Sequence, residues 1–188
     1  GLSGAEVAAK ILSSNGVLDV AVQRVSGNLT DHFDPTARVI RLSQSVYDSH
    51  SVAAVGVAAH EAGHALQYAE DYFPIRLRAA IIPITKVGSA LSWPLIILGL
   101  VFSFGLLVNL GIILFSAVTL FQLVTLPVEF NASRRALNIL QQQGILAPEE
   151  LGGARKVLTA AAMTYVAALL VSVMQLLRLI ALFSNRRD

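Results

Sequence analysis

From Val87 to Val128 the chain carries no charged side chain and no histidine. A helix needs roughly 20 apolar residues to cross the hydrocarbon core of a bilayer, so this stretch has room for two crossings. It predicts a hydrophobic membrane hairpin of two helices over 81–128. Gly105, Asn109 and Gly111 are the expected apex, and Pro94 and Gly99 are expected to kink or loosen the first arm. The alternative is a buried helical hairpin of a soluble protein. So long an uninterrupted run is hard to cover with protein alone. Val157–Leu177 is uncharged as well, which predicts a C-terminal membrane helix over 157–183.

Composition agrees with lipid as part of the solvent. Hydrophobic residues make up 55% of the 188 and charged residues 14%, against about 25% charged in an ordinary soluble domain. The formal net charge is +2, and the basic residues are scattered rather than gathered in a stripe, which argues against nucleic acid as a partner. There is no cysteine, so disulfides and Cys-ligated zinc are excluded. No secretory signal is visible. The chain opens on Gly1 and reads as an excised or processed piece.

Residues 1–80 read as a soluble module. Ser3-Gly4-Ala5-Glu6 is a capping-box pattern, followed by an apolar face of Val7, Ala8, Ile11 and Leu12 and a stop at Asn15-Gly16. Strands are expected around 17–25 and at Ala37–Leu42, forming a small antiparallel sheet. Ser49 or Ser51 can cap a helix from about Val52 to Glu70. Residues 129–156 are expected to hold an amphipathic helix over Glu129–Gln143, then a linker and a helix start at Pro148-Glu149-Glu150.

Within the Val52–Glu70 helix stands His60-Glu61-Ala62-Gly63-His64, an HExxH pattern. Positions i and i+4 share one helix face, so both imidazoles can reach one ion, and Glu61 is placed to deprotonate a water on it. Catalytic zinc usually takes three protein ligands. The remaining histidines are His32 and His50, so the third ligand is one of these or a carboxylate. After Asp71 no acid occurs until Glu129. A hairpin returns the chain to the side it left, so Glu129 is the expected third ligand. Its alternative role is an acid complementing a helix N-terminus at the membrane edge.

Thr30-Asp31-His32-Phe33-Asp34-Pro35, Arg41-Leu42-Ser43, the segment Ala58–Gln67 and Glu129-Phe130-Asn131-Ala132-Ser133-Arg134-Arg135-Ala136 together resemble the YugP-like membrane neutral zinc metallopeptidases. The similarity runs from Gly1 through the Leu158–Ala168 segment. The order of strand, HExxH helix, membrane hairpin and Glu helix is also similar to the CAAX-processing endopeptidases and their bacterial heat-shock relatives. Their ExxAD motif ends in an Asp that orients a ligand histidine. Ser133 stands at that place here and is expected to act more weakly.

The resemblance implies a mainly α, integral membrane helical protein with a small α+β zincin-like module. It implies a gluzincin-type centre of one Zn2+ on His60, His64 and Glu129. Family members usually carry a further hydrophobic N-terminal anchor, which implies a span before Gly1. The expected reaction is hydrolysis of peptide or membrane-protein substrates by a zinc-activated water, with Glu61 as general base. Ser133, His32, Tyr165 and Arg134 are expected to orient ligands or stabilise the oxyanion. For His32, Tyr165 and Arg134 the bland readings are, in turn, a polar turn histidine, a membrane-interface tyrosine and a basic residue facing headgroups. The Val39–Leu42 strand is a candidate edge for an extended substrate.

Arg134, Arg135, Arg155 and Lys156 between the second and third spans put the site on the cytoplasmic face of a bacterial plasma membrane. Arg178, Arg186 and Arg187 would then lie outside, against the same rule. A zinc-stabilised scaffold or quality-control partner is the non-enzymatic alternative. An intramembrane site-2-type protease is a third, weakened because no Asp occurs between Asp71 and Asp188.

Overall fold

The structure, a computed structural model, describes residues 1–184. Arg186 and Arg187 of the orientation argument lie outside the described residues. The chain is mainly helical: α1 (Gly4–Ser14), β1 (Ala21–Val25), β2 (His32–Asp34), β3 (Val39–Ser43), α2 (Gln44–Tyr47), α3 (Val52–Ala69), α4 (Phe73–Val101), α5 (Gly105–Gln142) and α6 (Pro148–Ser184). Two compact units form, one from Gly1–Phe73 with Val128–Ala162, the other from Pro74–Pro127 with the segment from Met163 onward.

In the first unit, α1 begins where the capping box requires. Ser3 Oγ accepts from the Glu6 amide and Glu6 Oε2 accepts from the Ser3 amide. The helix ends before Gly16, whose φ of 75° favours glycine. Ser51 caps α3 by accepting from the Ala54 amide at 3.2 Å. The core joins Val7 and Ile11 of α1, Ile40 and Leu42 of β3, and the alanine face of α3. Ala136 and Leu140 of α5 and Ala154 of α6 close the same core.

The sheet corrects the expectation of antiparallel pairing. Its order is β1-β3-β2, with β1 parallel to β3 and only β2 antiparallel to it. The chain leaves β1 through Ser26–Asp31, descends as β2, and returns as β3 between the two. Asp31 fixes this crossover by accepting from the backbone amide and the hydroxyl of Ser43 at the far end of β3. At the β2–β3 hairpin, Asp34 Oδ1 accepts from the Thr36 and Ala37 amides. Because β2 fills one side and β1 the other, β3 is central. The Val39–Leu42 strand therefore has no free edge for a substrate; the open edges belong to β1 and β2.

The second unit contains the apolar hairpin and the later part of α6. Among the described residues three helices are long and apolar enough to cross a membrane: Phe73–Val101, Gly105–Gln142 and Pro148–Phe183. The hairpin turns at Phe102–Phe104, with Ser103 at φ 52°, and Gly105 is already the first residue of α5. Asn109 and Gly111 lie inside α5 rather than at the apex. Gly111 serves packing instead: a Cβ there would stand 2.7 Å from the Ser92 carbonyl oxygen, so its absence lets α4 and α5 approach closely. Thr119 and Ser172 share a buried 2.7 Å hydrogen bond between α5 and α6.

Glu129 does not open a helix. It sits within α5, which continues through Pro127. Proline is tolerated in apolar helices of this kind because neighbouring groups take up the freed backbone carbonyl. The reading of Glu129 as an acid at a helix N-terminus fails for that reason.

Candidate metal centre

His60 and His64 face the same way because they are one turn and a fraction apart on α3. Their rings stand edge to face with centroids 4.6 Å apart. The second half of α5 lies against this face. Gly63, between the two histidines, makes that approach possible: a Cβ there would lie 2.8 Å from the Ala132 carbonyl oxygen. The close contact delivers Glu129. Its Oε2 is 3.2 Å from His60 Nε2 and 3.5 Å from His64 Nε2.

One donor atom from each of the three residues lies within 4.8 Å of the others. Tetrahedral zinc with ligand bonds of about 2.0–2.2 Å separates neighbouring donors by about 3.3–3.6 Å. The His64–Glu129 separation of 3.5 Å falls within that spacing and the His60–Glu129 separation of 3.2 Å just below it. The donor set of two imidazoles and a carboxylate also suits zinc chemically. Glu129 is only 2% exposed, and a carboxylate so buried requires compensating positive charge or hydrogen bonds.

Each imidazole is held by its other nitrogen. Ser133 Oγ, one turn after Glu129, lies 3.1 Å from His60 Nδ1. His64 Nδ1 donates to Gln67 Oε1 at 3.0 Å. Gln67 is fully buried, and its amide donates to the Val128 carbonyl and to Asn131 Oδ1, both at 2.9 Å. Two acceptors on Nε2 leave Oε1 no choice but to face His64. Asn131 is fixed in turn by Arg135, which also pairs with Glu70. With Nδ1 occupied on both rings, Nε2 is left to face Glu129. Burial works against a charged His64, but Glu129 as acceptor and the charge of Glu61 outweigh it and hold its pKa above the ordinary value.

Glu61 is buried next to His60, 9% exposed. His32 does not join the cluster. It lies on β2, where Nδ1 donates to the Thr30 carbonyl and Nε2 accepts from Arg41. His50 Nδ1 instead meets the Gly1 carbonyl. Arg134 is exposed and lines a cleft on the α5–α6 side with Arg155. Tyr165 belongs to the second unit. Gln67 and Asn131 went unread as positioning groups in the sequence. Spacing alone does not mark them: Gln67 follows His64 by three and Asn131 follows Glu129 by two, but their roles arise only where α5 meets α3.

The model of a family described as "Putative neutral zinc metallopeptidase" matches residues 1–184. A protein of Bacillus subtilis (strain 168), described as "Putative membrane protease YugP", is 52% identical over the whole of this chain and 84% of its own length. No solved structure matches. The chain belongs to this family, and it assembles a His-His-Glu cluster on α3 and α5.

Proposed function

We propose that this chain is a membrane-anchored endopeptidase in which His60, His64 and Glu129 hold one Zn2+ and Glu61 is the general base. The observation that carries the reading is the donor spacing of 3.2 and 3.5 Å about Glu129 Oε2. Zinc held there would supply Lewis acidity, lowering the pKa of a water towards about 7 and polarising a peptide carbonyl. Glu61 accepts the proton of the attacking water and returns it to the leaving amine. Ser133 and Gln67 hold the imidazoles in the tautomer that leaves Nε2 lone pairs free.

The substrate is a peptide or a segment of a membrane protein. The three apolar helices anchor the chain in a bilayer with 1–80 and 129–156 on the cytoplasmic side of a bacterial plasma membrane. Glu61→Gln tests the chemistry. The variant should keep its zinc and lose at least about a hundredfold in peptide hydrolysis. Unchanged hydrolysis would remove Glu61 as base, and a wild type that binds zinc without hydrolysing any peptide would favour a scaffold.

A further inference from the structure

A second polar feature lies in the same unit as the metal cluster. A cleft of about 280 Å³ opens between the second half of α5 and the first half of α6. Arg134 and Arg155 line it, one from each helix, over a floor that includes Phe130, Leu137, Leu158 and Ala162. No acidic side chain lines it. Among the described residues neither guanidinium has a hydrogen-bond or ion-pair partner. By contrast, Arg24, Arg38, Arg41 and Arg135 are all paired with carboxylates.

The position of the cleft in the sequence selects its occupant. One uncharged run ends at Val128 and the other begins at Val157. Phe130 and Arg134 stand just beyond the first run, and Arg155 and Leu158 flank the start of the second. Two unpaired cations above an apolar floor, at the point where both helices become uncharged, match an amphiphile with a phosphate head. Guanidinium binds phosphate through paired hydrogen bonds, and the floor suits the glycerol and first acyl methylenes.

We propose that this cleft binds the headgroup of an anionic phospholipid, with Arg134 and Arg155 on the phosphate. Ser133 also lines the cleft while contacting His60, so an occupied lipid site would adjoin the metal centre. The site does not depend on the peptidase reading, and its test uses no activity.

The full chain is placed in nanodiscs of equal phosphatidylglycerol and phosphatidylcholine, released, and weighed by native mass spectrometry. Wild type should retain phosphatidylglycerol over phosphatidylcholine. Arg134→Gln with Arg155→Gln should weaken that preference by roughly twenty-five-fold, since each juxtamembrane cation contributes about a fivefold factor. Arg178→Gln, later on α6 and not a lining residue of the cleft, should leave it unchanged, and the Arg134→Lys, Arg155→Lys pair should keep most of it even if the glutamine pair fails to fold. Phosphatidylglycerol retained equally by the glutamine pair overturns the proposal. So does displacement by an equal concentration of inorganic phosphate, which would mark a simple anion site, or by a peptide carboxylate, which would mark a substrate site.

Discussion

Gln67 Oε1 lies 3.0 Å from His64 Nδ1, and the same side chain's amide reaches across to the Val128 carbonyl of α5. One buried residue therefore orients a ligand and fastens together the two helices that supply the cluster. Ser133 acts on His60 from the opposite helix. The two imidazoles are thus steadied reciprocally, one from its own helix and one from the neighbour that carries Glu129.

Gln67→Leu should lower zinc affinity by about 10–100-fold, the usual effect of losing a group that orients a ligand histidine. Competition with a chromophoric chelator measures it. Leucine is close in size, and it also leaves the buried His64 Nδ1–H without its acceptor, so the variant should melt earlier as well. Equal chelator resistance in wild type and variant would show that Gln67 has no part in holding His64.

Gly63→Ala should destabilise the first unit by about 1–3 kcal/mol, because the new methyl meets a backbone carbonyl that cannot swing aside. It should also weaken zinc binding, since relief requires α5 to withdraw with Glu129. Gly152→Ala supplies the contrast: its Cβ would meet nothing within 4 Å, and alanine in a helix gains about 0.5–1 kcal/mol over glycine. Thermal melting of both variants distinguishes local crowding from a general effect of removing glycine. A Gly63→Ala protein as stable as wild type would contradict the close packing.

The absence of native cysteine makes topology directly readable. A cysteine at Ser14 should react with an impermeant maleimide only in inverted vesicles. One at Ser103, in the turn between α4 and α5, should react only in right-side-out vesicles. Labelling of both positions from one side would exclude the proposed pair of crossings.

Much of this arrangement is legible locally. Ser3 with Glu6 marks the start of α1, Ser51 the start of α3, and Pro148 the start of α6, because capping chemistry is confined to a few neighbouring residues. HExxH spacing places two imidazoles on one face for the same reason. What escaped depends on distant partners. His32–Asp34 is too short to show a period, and parallel pairing of β1 with β3 is decided by a crossover that Asp31 secures with Ser43. The boundary expected at Val128–Glu129 lies inside α5, which runs on through Pro127, since apolar surroundings favour keeping the backbone helical. Gly105 borders the turn, but the positive φ falls on Ser103, and Gly111 owes its place to packing. The role of Gln67 required knowing that Val128 and Asn131 would stand beside it.

Zinc content of purified wild type and Glu129→Ala, after identical dialysis against a chelator, tests the central assignment most directly. The account predicts one zinc per chain in wild type and a large loss in Glu129→Ala, with His32→Ala unchanged. Full zinc retention by Glu129→Ala would show that the ion, if bound at all, is not held by His60, His64 and Glu129 together.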